Sequence, residues 1–233
     1  MNMNKMTICG CSSRTFMKDE ELTRVAVAAR KAGWQVELVC DLCEMCEENV
    51  PELQQVAGTT IVACHERAVE SLMEWRGHED CRILNLREQP AVEVLQQLGV
   101  EPAEDEELAQ EYKTLLSRMP RKLGEDAWYP TLDKNVCGEC GKCFDFCPFG
   151  VYEMIDDRVR VMHPHNCKNN CPACARTCPH SAIIFPKYDR SPINGGSERQ
   201  EKAVQLDSRS LYNDAFRAKL AQRRAGVSLL KKD

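Results

Sequence analysis

Apolar and polar residues alternate with two different periods along the first hundred residues. Four short apolar runs, rich in β-branched residues, predict β-strands. Between them, apolar residues recur every three or four positions, which predicts helices. The predicted strands are residues 6–9, 34–40, 59–63 and 82–86. Because strands alternate with helices over short connections, we predict right-handed crossovers and a parallel sheet.

Helix boundaries are marked by capping residues and glycines. Asp19 is the expected N-cap of the first helix, and Gly33 is expected to follow its last turn. The chain becomes acidic after Gly99 and then enters one further amphipathic helix. The apolar stripe of that helix is Leu108, Tyr112, Leu115 and Leu116.

The distribution of cysteines and prolines divides the chain into four parts. We expect a small parallel-sheet α/β domain at residues 1–118, a linker at 119–135, a cysteine-dense α+β domain at 136–187, and an extended tail at 188–233. An amphipathic helix is expected in the tail at residues 207–224. Its apolar stripe is Leu211, Tyr212, Phe216 and Leu220.

Charge is unevenly distributed along the chain. Residues 199–233 carry nine Lys/Arg and four Asp/Glu, whereas the first 198 residues carry 22 Lys/Arg and 32 Asp/Glu. We therefore expect the tail helix either to dock on a partner protein or to fold back onto its own acidic body. An acidic body would repel phosphate, so nucleic acid is not an expected partner.

The 233 residues include 15 cysteines, which add candidate chemistry to this picture. Seven lie between Cys9 and Cys81, and eight lie between Cys137 and Cys178. The sequence shows no secretory signal and no membrane-spanning apolar stretch, so a cytoplasmic protein without membrane insertion is expected. In a reducing compartment, clustered cysteines indicate metal ligands or redox thiols rather than disulfides.

The eight C-terminal cysteines form two copies of one motif. The first copy reads Cys137-Gly-Glu-Cys140-Gly-Lys-Cys143-Phe-Asp-Phe-Cys147-Pro148, the bacterial spacing for a four-iron cluster. The second copy keeps this spacing except for a first gap that is one residue longer, which we interpret as a lengthened loop. In such motifs the fourth cysteine binds the other cluster. The predicted ligand sets are Cys137, Cys140, Cys143 and Cys178 for one cluster, and Cys147, Cys167, Cys171 and Cys174 for the other.

A pair of zinc sites is the main alternative, because zinc held by four thiolates also uses two-residue gaps. Three closely spaced cysteines followed by Cys-Pro, present twice, favour clusters. The segment from about Tyr129 to Lys187 resembles the two-cluster ferredoxin domain. That resemblance implies a ferredoxin-like α+β fold, two [4Fe-4S] clusters and one-electron transfer at low potential.

Six of the N-terminal cysteines follow predicted strands. They are Cys9 and Cys11 after the first strand, Cys40, Cys43 and Cys46 after the second, and Cys64 after the third. Because the carboxyl ends of parallel strands meet at one edge, we expect these thiols to lie together. Cys81 precedes the fourth strand, so we expect it at the opposite edge as a small buried hydrophobe. A nucleophilic dyad of Cys64 and His65 is an alternative use of this edge.

Cys9-Gly-Cys11 and Val62-Ala63-Cys64-His65-Glu66-Arg67 resemble the N-terminal domain of the flavin-bearing subunit of heterodisulfide reductases, over about residues 6–75. The large flavin-binding region of that subunit is absent. The resemblance implies a third [4Fe-4S] cluster. Its leading ligands are Cys9, Cys11, Cys43 and Cys64, with Cys40 and Cys46 as rivals. Buried or redox-inert thiols without a cluster are the alternative.

Three functions fit these patterns. The first is an electron-transfer subunit that passes electrons to a partner oxidoreductase subunit or a soluble redox protein. The second is a thiol/disulfide-active reductase component, and the third is an iron-sulfur redox sensor. The sequence shows no phosphate-binding glycine motif and no substrate-pocket motif, which favours a relay over a self-sufficient enzyme. No catalytic residue is assigned.

Overall fold

A computed structural model of the chain describes residues 4–120, 126–198 and 200. These residues form two compact units. The first contains the described residues up to Ala127 together with Asn194–Gly196, and the second contains Trp128–Ile193 and the described residues after Gly196. The tail helix expected at residues 207–224 lies outside the described residues.

The first unit is built on a four-stranded parallel sheet with strand order β2-β1-β3-β4. The strands are β1 (Lys5–Cys9), β2 (Gln35–Val39), β3 (Thr60–Ala63) and β4 (Ile83–Asn85). Each coincides with a predicted apolar run, so the parallel sheet is confirmed. β1 and β3 are central, and their residues Ile8, Ile61 and Val62 are completely buried.

Six helices accompany this sheet along the chain. They are α1 (Asp19–Lys31), α2 (Leu42–Glu48), α3 (Leu53–Ala57), α4 (Glu66–Trp75), α5 (Ala91–Leu98) and α6 (Glu106–Arg118). The apolar face of α1 is buried at Leu22, Val25, Ala26 and Ala29. Hydrophobic burial of such faces is the main stabilising contribution in a unit of this size.

Two details of the predicted helices were wrong. Lys18, whose backbone is extended, occupies the N-cap of α1, so Asp19 is the first helical residue and contributes to an acidic first turn. In α6, Tyr112 and Leu116 are buried but Leu115 is 42% exposed. The buried face of α6 is therefore narrower than the sequence pattern suggested.

The second unit consists of short elements. Its helices are α7 (Lys142–Phe146) and α8 (Ala173–Thr177), with a 3-10 turn at Pro164–Asn166. The strands β5 (Thr131–Leu132) and β8 (Ile183–Ile184) pair antiparallel, as do β6 (Tyr152–Ile155) and β7 (Arg158–Val161). Trp128 stacks on buried Phe185 with ring centroids 5.3 Å apart.

The helices of the described part of the chain are too short or too polar to cross a membrane.

Candidate metal centres

The two short helices of the second unit hold equivalent positions in the two cysteine motifs. α7 carries Cys143 and ends with Cys147 as its C-cap, while α8 carries Cys174 and ends with Cys178. Pro148 and Pro179 follow these C-caps. Proline favours a helix end because it restricts the backbone of the preceding residue to extended conformations. Each motif therefore places its third cysteine inside a helix and its fourth just beyond it.

The thiols of the two motifs interact in a crossed pattern. The pKa of Cys143 is raised to about 12, mainly by burial and further by the nearby thiolates of Cys178, Cys137 and Cys140. Burial also raises the pKa of Cys174 well above its usual range, and the charges of Cys147, Cys167 and Cys143 raise it further. The last cysteine of each motif thus lies with the first cysteines of the other motif.

An apolar cavity of about 230 Å³ in the second unit is lined by four cysteines of one predicted set. They are Cys147, Cys167, Cys171 and Cys174. The remaining wall is apolar and includes Phe146, Phe149 and Val151. Four convergent thiols with an apolar wall are the donor set and the surroundings that an iron–sulfur cluster uses.

Tyr152 adds a polar group to this cavity. Its hydroxyl donates a hydrogen bond to Sγ of Cys174 over 3.2 Å, and both side chains are buried. Burial, and then the neighbouring thiolates, raise the pKa of Tyr152 well above its ordinary value. The hydroxyl therefore keeps its proton and acts as a donor. Sequence reasoning did not identify this residue, whose only signal is an aromatic side chain shortly after Cys147-Pro148.

The two predicted ligand sets differ in exposure. In the set with Cys178, Cys140 is exposed and the other three thiols are half-buried. In the other set, Cys147 and Cys174 are each only 7% exposed. The first set receives a backbone donor, because the amide of Ala182 donates to Sγ of Cys178 over 3.3 Å.

In the first unit, five cysteines lie at or just after the carboxyl ends of three adjacent strands. They are Cys9, which ends β1, and Cys11 just after it, Cys40 and Cys43 after β2, and Cys64 after β3. The amides of Gly10 and Ser12 donate to the carbonyls of Val39 and Cys40, which holds the two strand exits side by side. The amide of Leu42 also donates to Sγ of Cys9 over 3.4 Å.

Gly10 lies between the first two of these cysteines in a crowded place. A Cβ atom at this position would lie 2.5 Å from Sδ of Met119. A larger residue at this position would therefore require the flexible side chain of Met119 to move. Cys11 itself has a positive φ of 46°, a conformation that directs the chain back from the sheet edge.

Asp41 organises the segment that carries Cys43. Its Oδ1 accepts hydrogen bonds from the amides of Cys43 and Glu44, which caps α2, and its Oδ2 accepts one of 2.6 Å from the hydroxyl of Ser13. Both Asp41 and Ser13 are buried. Sequence analysis missed α2 and its cap. The signal was an Asp two residues before Cys43, which is typical of an N-cap.

Cys46 and Cys81 have different surroundings. Cys46 is completely buried one turn along α2, and burial raises its pKa to about 12. The charge of Arg76 lowers the pKa of this thiol and that of Cys81 raises it, but burial has the larger effect. The carbonyl of Cys46 accepts a hydrogen bond from Arg76 Nε. Cys81 precedes β4 as expected, but it is half-buried, so its prediction as a fully buried hydrophobe was wrong. The turn before β4 leaves its side chain partly in solvent.

His65 follows Cys64 and forms the N-cap of α4. Its buried ring has Nδ1 3.3 Å from Oε1 of Glu88, while Nε2 has no hydrogen-bond partner within the described part of the chain. Burial, followed by the charge of Arg87, lowers the pKa of His65 to about 4. The imidazole is therefore neutral near pH 7.

Comparison with known proteins identifies the second unit. Residues 129–202 match the model of the 4Fe-4S dicluster domain. A ferredoxin of Methanothermococcus thermolithotrophicus is 36% identical over 55 residues, which are 23% of this chain and 90% of that protein. The chain belongs to the ferredoxin family. Its residues 129–202 carry the 4Fe-4S dicluster domain of that family.

Other ferredoxins show the same relationship. An uncharacterized ferredoxin from Methanocaldococcus jannaschii is 45% identical over 67 residues, 28% of this chain. The match spans 46% of that ferredoxin's length. A second uncharacterized ferredoxin from this organism is 36% identical over 55 residues, which are 23% of this chain and 87% of that protein.

Proposed function

We propose that this ferredoxin-family protein relays low-potential electrons to a partner oxidoreductase through two [4Fe-4S] clusters in residues 136–187 and a third in the N-terminal domain, residues 1–118. The observation that carries the proposal is the crossed arrangement of the thiols in the second unit. Cys147 lines one cavity with Cys167, Cys171 and Cys174, and the charge of Cys178 acts on Cys137 and Cys143. This crossing is the ligand exchange that two-cluster ferredoxins use.

The clusters would supply one-electron redox chemistry, while the chain fixes their separation. Cys143 belongs to one proposed ligand set, and its thiolate lies close enough to influence both Cys174 and Tyr152 of the other set. The edges of the two sets are therefore neighbours. Such proximity supports transfer of an electron from one cluster to the next.

The thiols of one predicted set line a cavity, which favours a cluster over a single zinc ion. Cys147, Cys167, Cys171 and Cys174 line about 230 Å³ of space. Tetrahedral zinc with Zn–S bonds of about 2.3 Å would hold its sulfurs about 3.8 Å apart.

The third cluster is proposed for the sheet edge of the first unit, with Cys9, Cys11, Cys43 and Cys64 as ligands. Two observations support this set. The strand exits that carry these residues are joined by backbone hydrogen bonds, and the Asp41 cap fixes the helical turn of Cys43. We also propose that residues 6–75 are related to the N-terminal domain of the flavin-bearing subunit of heterodisulfide reductases.

Counting iron and acid-labile sulfide after anaerobic purification tests the proposal. Two clusters give about eight iron atoms per chain and three give about twelve. Zinc in place of iron would overturn the whole proposal, whereas eight iron atoms after full reconstitution would overturn only the third cluster.

Matched cysteine variants test the N-terminal ligand set. Cys43→Ala is expected to remove about four iron atoms, the content of one cluster. Cys46→Ala changes the same residue type on the same helix and is expected to leave the iron content unchanged. The reverse result would assign the site to Cys46.

A further inference from the structure

In one of the proposed cluster sites of the second unit, a side chain reaches a ligand sulfur. The Tyr152 hydroxyl donates to Sγ of Cys174 over 3.2 Å, and both residues are buried. In the other site, the backbone amide of Ala182 donates to Sγ of Cys178. A side-chain donor can be removed by one substitution without changing the backbone, so the effect of its hydrogen bond can be measured separately from the effects of the fold.

The position of Tyr152 is fixed by the fold. It is the first residue of β6, where it pairs with Val161 of β7. The strand therefore holds the ring in a defined orientation, and the surrounding cavity is otherwise lined by apolar side chains and thiols. In such surroundings water competes little for the hydroxyl, and a hydrogen bond is electrostatically stronger than in water.

Two opposing effects act on a cluster in this site. Reduction adds an electron and therefore negative charge, which burial disfavours. A hydrogen bond to a ligand sulfur stabilises that added charge, and hydrogen bonds to sulfur are among the factors that set cluster potentials. The hydroxyl of Tyr152 counteracts the cost of burying Cys147 and Cys174.

We propose that Tyr152 is a positioning and tuning residue whose hydrogen bond to Cys174 raises the reduction potential of the cluster held by Cys147, Cys167, Cys171 and Cys174. This inference rests on the proposed function, since it requires a cluster at each ligand set. It assigns the two clusters different roles. The buried cluster retains the electron more readily than it would without Tyr152, and the cluster with the exposed ligand Cys140 is the more accessible to a redox partner.

The test is a redox titration of the anaerobically purified full chain, followed by electron paramagnetic resonance. We expect Tyr152→Phe to lower the potential of one cluster and leave the other cluster of the second unit unchanged. At a fixed applied potential, the ratio of reduced to oxidised cluster should fall about tenfold, which is about 59 mV for a one-electron couple. Tyr188→Phe is the matched control, because the Tyr188 hydroxyl accepts a hydrogen bond from Arg176.

Resonance Raman spectroscopy gives a second readout. A hydrogen bond withdraws electron density from the sulfur, so its loss should raise an Fe–S(Cys) stretching frequency in Tyr152→Phe and not in Tyr188→Phe. Unchanged potentials with full iron content would overturn the inference. Loss of iron from Tyr152→Phe would also overturn it, because the hydroxyl would then hold the cluster rather than tune it. Fewer than eight iron atoms in the unsubstituted chain would instead overturn the proposed function.

Discussion

The two cysteine-rich regions of this protein are stabilised by different means. In the first unit, a four-stranded parallel sheet and helices of up to 13 residues form an apolar core, and five of its seven cysteines lie at or just after the carboxyl ends of the strands. In the second unit, α7 and α8 have five residues each, and its sheets have two strands each. The fold of the first region is sufficient to fix the positions of its cysteines. The second region has so little regular structure that a bound group is needed to fix the positions of its cysteines.

Helix capping shows the same difference. α2, which carries Cys43, is capped by the side chain of Asp41. α7 and α8, which carry Cys143 and Cys174, have no side-chain cap. Bonds from the thiolates to a cluster would fix these short helices in place of a cap. Cysteines in the first unit are positioned by a fold that forms without them. In the second unit, bonds from the cysteines to a cluster would stabilise the fold itself.

Removal of iron is the change that should separate the two regions most. Chelation under reducing conditions is expected to reduce amide protection in the β6–β7 hairpin to that of an unfolded chain, because metal-binding energy is folding energy in so small a unit. The amides of β1 and β3 should keep their protection, because the parallel sheet is held by its apolar core. Hydrogen exchange followed by mass spectrometry, resolved by peptide, measures both.

The control for this experiment is restoration of iron and sulfide, which should recover hairpin protection. Equal loss of protection in both units would show that the first unit also depends on a cluster for its fold. Full protection in both would show that the second unit folds without iron, and the comparison would then be wrong.

A core substitution tests the other half of the comparison. Ile8 is completely buried in the central strand β1. Ile8→Ala should cost about 2–5 kcal/mol of unfolding free energy, because it removes buried methyl groups and leaves a cavity. Val92→Ala on α5 is the matched control, since Val92 is 47% exposed and surface changes are usually within about 0.5 kcal/mol. Urea unfolding followed by circular dichroism measures the difference. Equal effects of the two substitutions would contradict a core centred on β1.

The strands of the first unit could be predicted because β-branched residues occur in short runs bounded by turn residues. The helix end at Gly33 could also be predicted, because glycine readily adopts the positive φ that a helix end requires, and Gly33 has a φ of 84°. The N-cap of α1 could not, because several acidic residues in succession offer equivalent starting points and tertiary packing selects among them.

The candidate sites show a similar limit. Motif spacing is local, so the sequence alone yields a prediction of which cysteines belong together in the second unit. The hydrogen bond from Tyr152 to Cys174 joins residues 22 positions apart, and no periodicity relates them. The separate surroundings of Cys43 and Cys46 depend on α2, which the sequence pattern did not reveal because its apolar and cysteine residues are mixed with acidic ones.

The smallest predicted effect concerns the cap that places Cys43. Asp41→Ala removes the acceptor for the amides of Cys43 and Glu44 and leaves the buried hydroxyl of Ser13 without this partner. Loss of an N-cap of this kind costs about 0.5–2 kcal/mol. Asp41→Asn keeps a side-chain oxygen for the two amides and should retain most of that stability. Urea unfolding measures the free energies, and iron counting in the same samples shows whether the third cluster depends on the cap. If Asp41→Ala and Asp41→Asn are equally destabilised, the negative charge of Asp41 rather than its capping geometry supports this edge. If neither variant is destabilised, the sheet alone positions Cys43, and the difference between a capped α2 and the uncapped α7 and α8 has no energetic consequence.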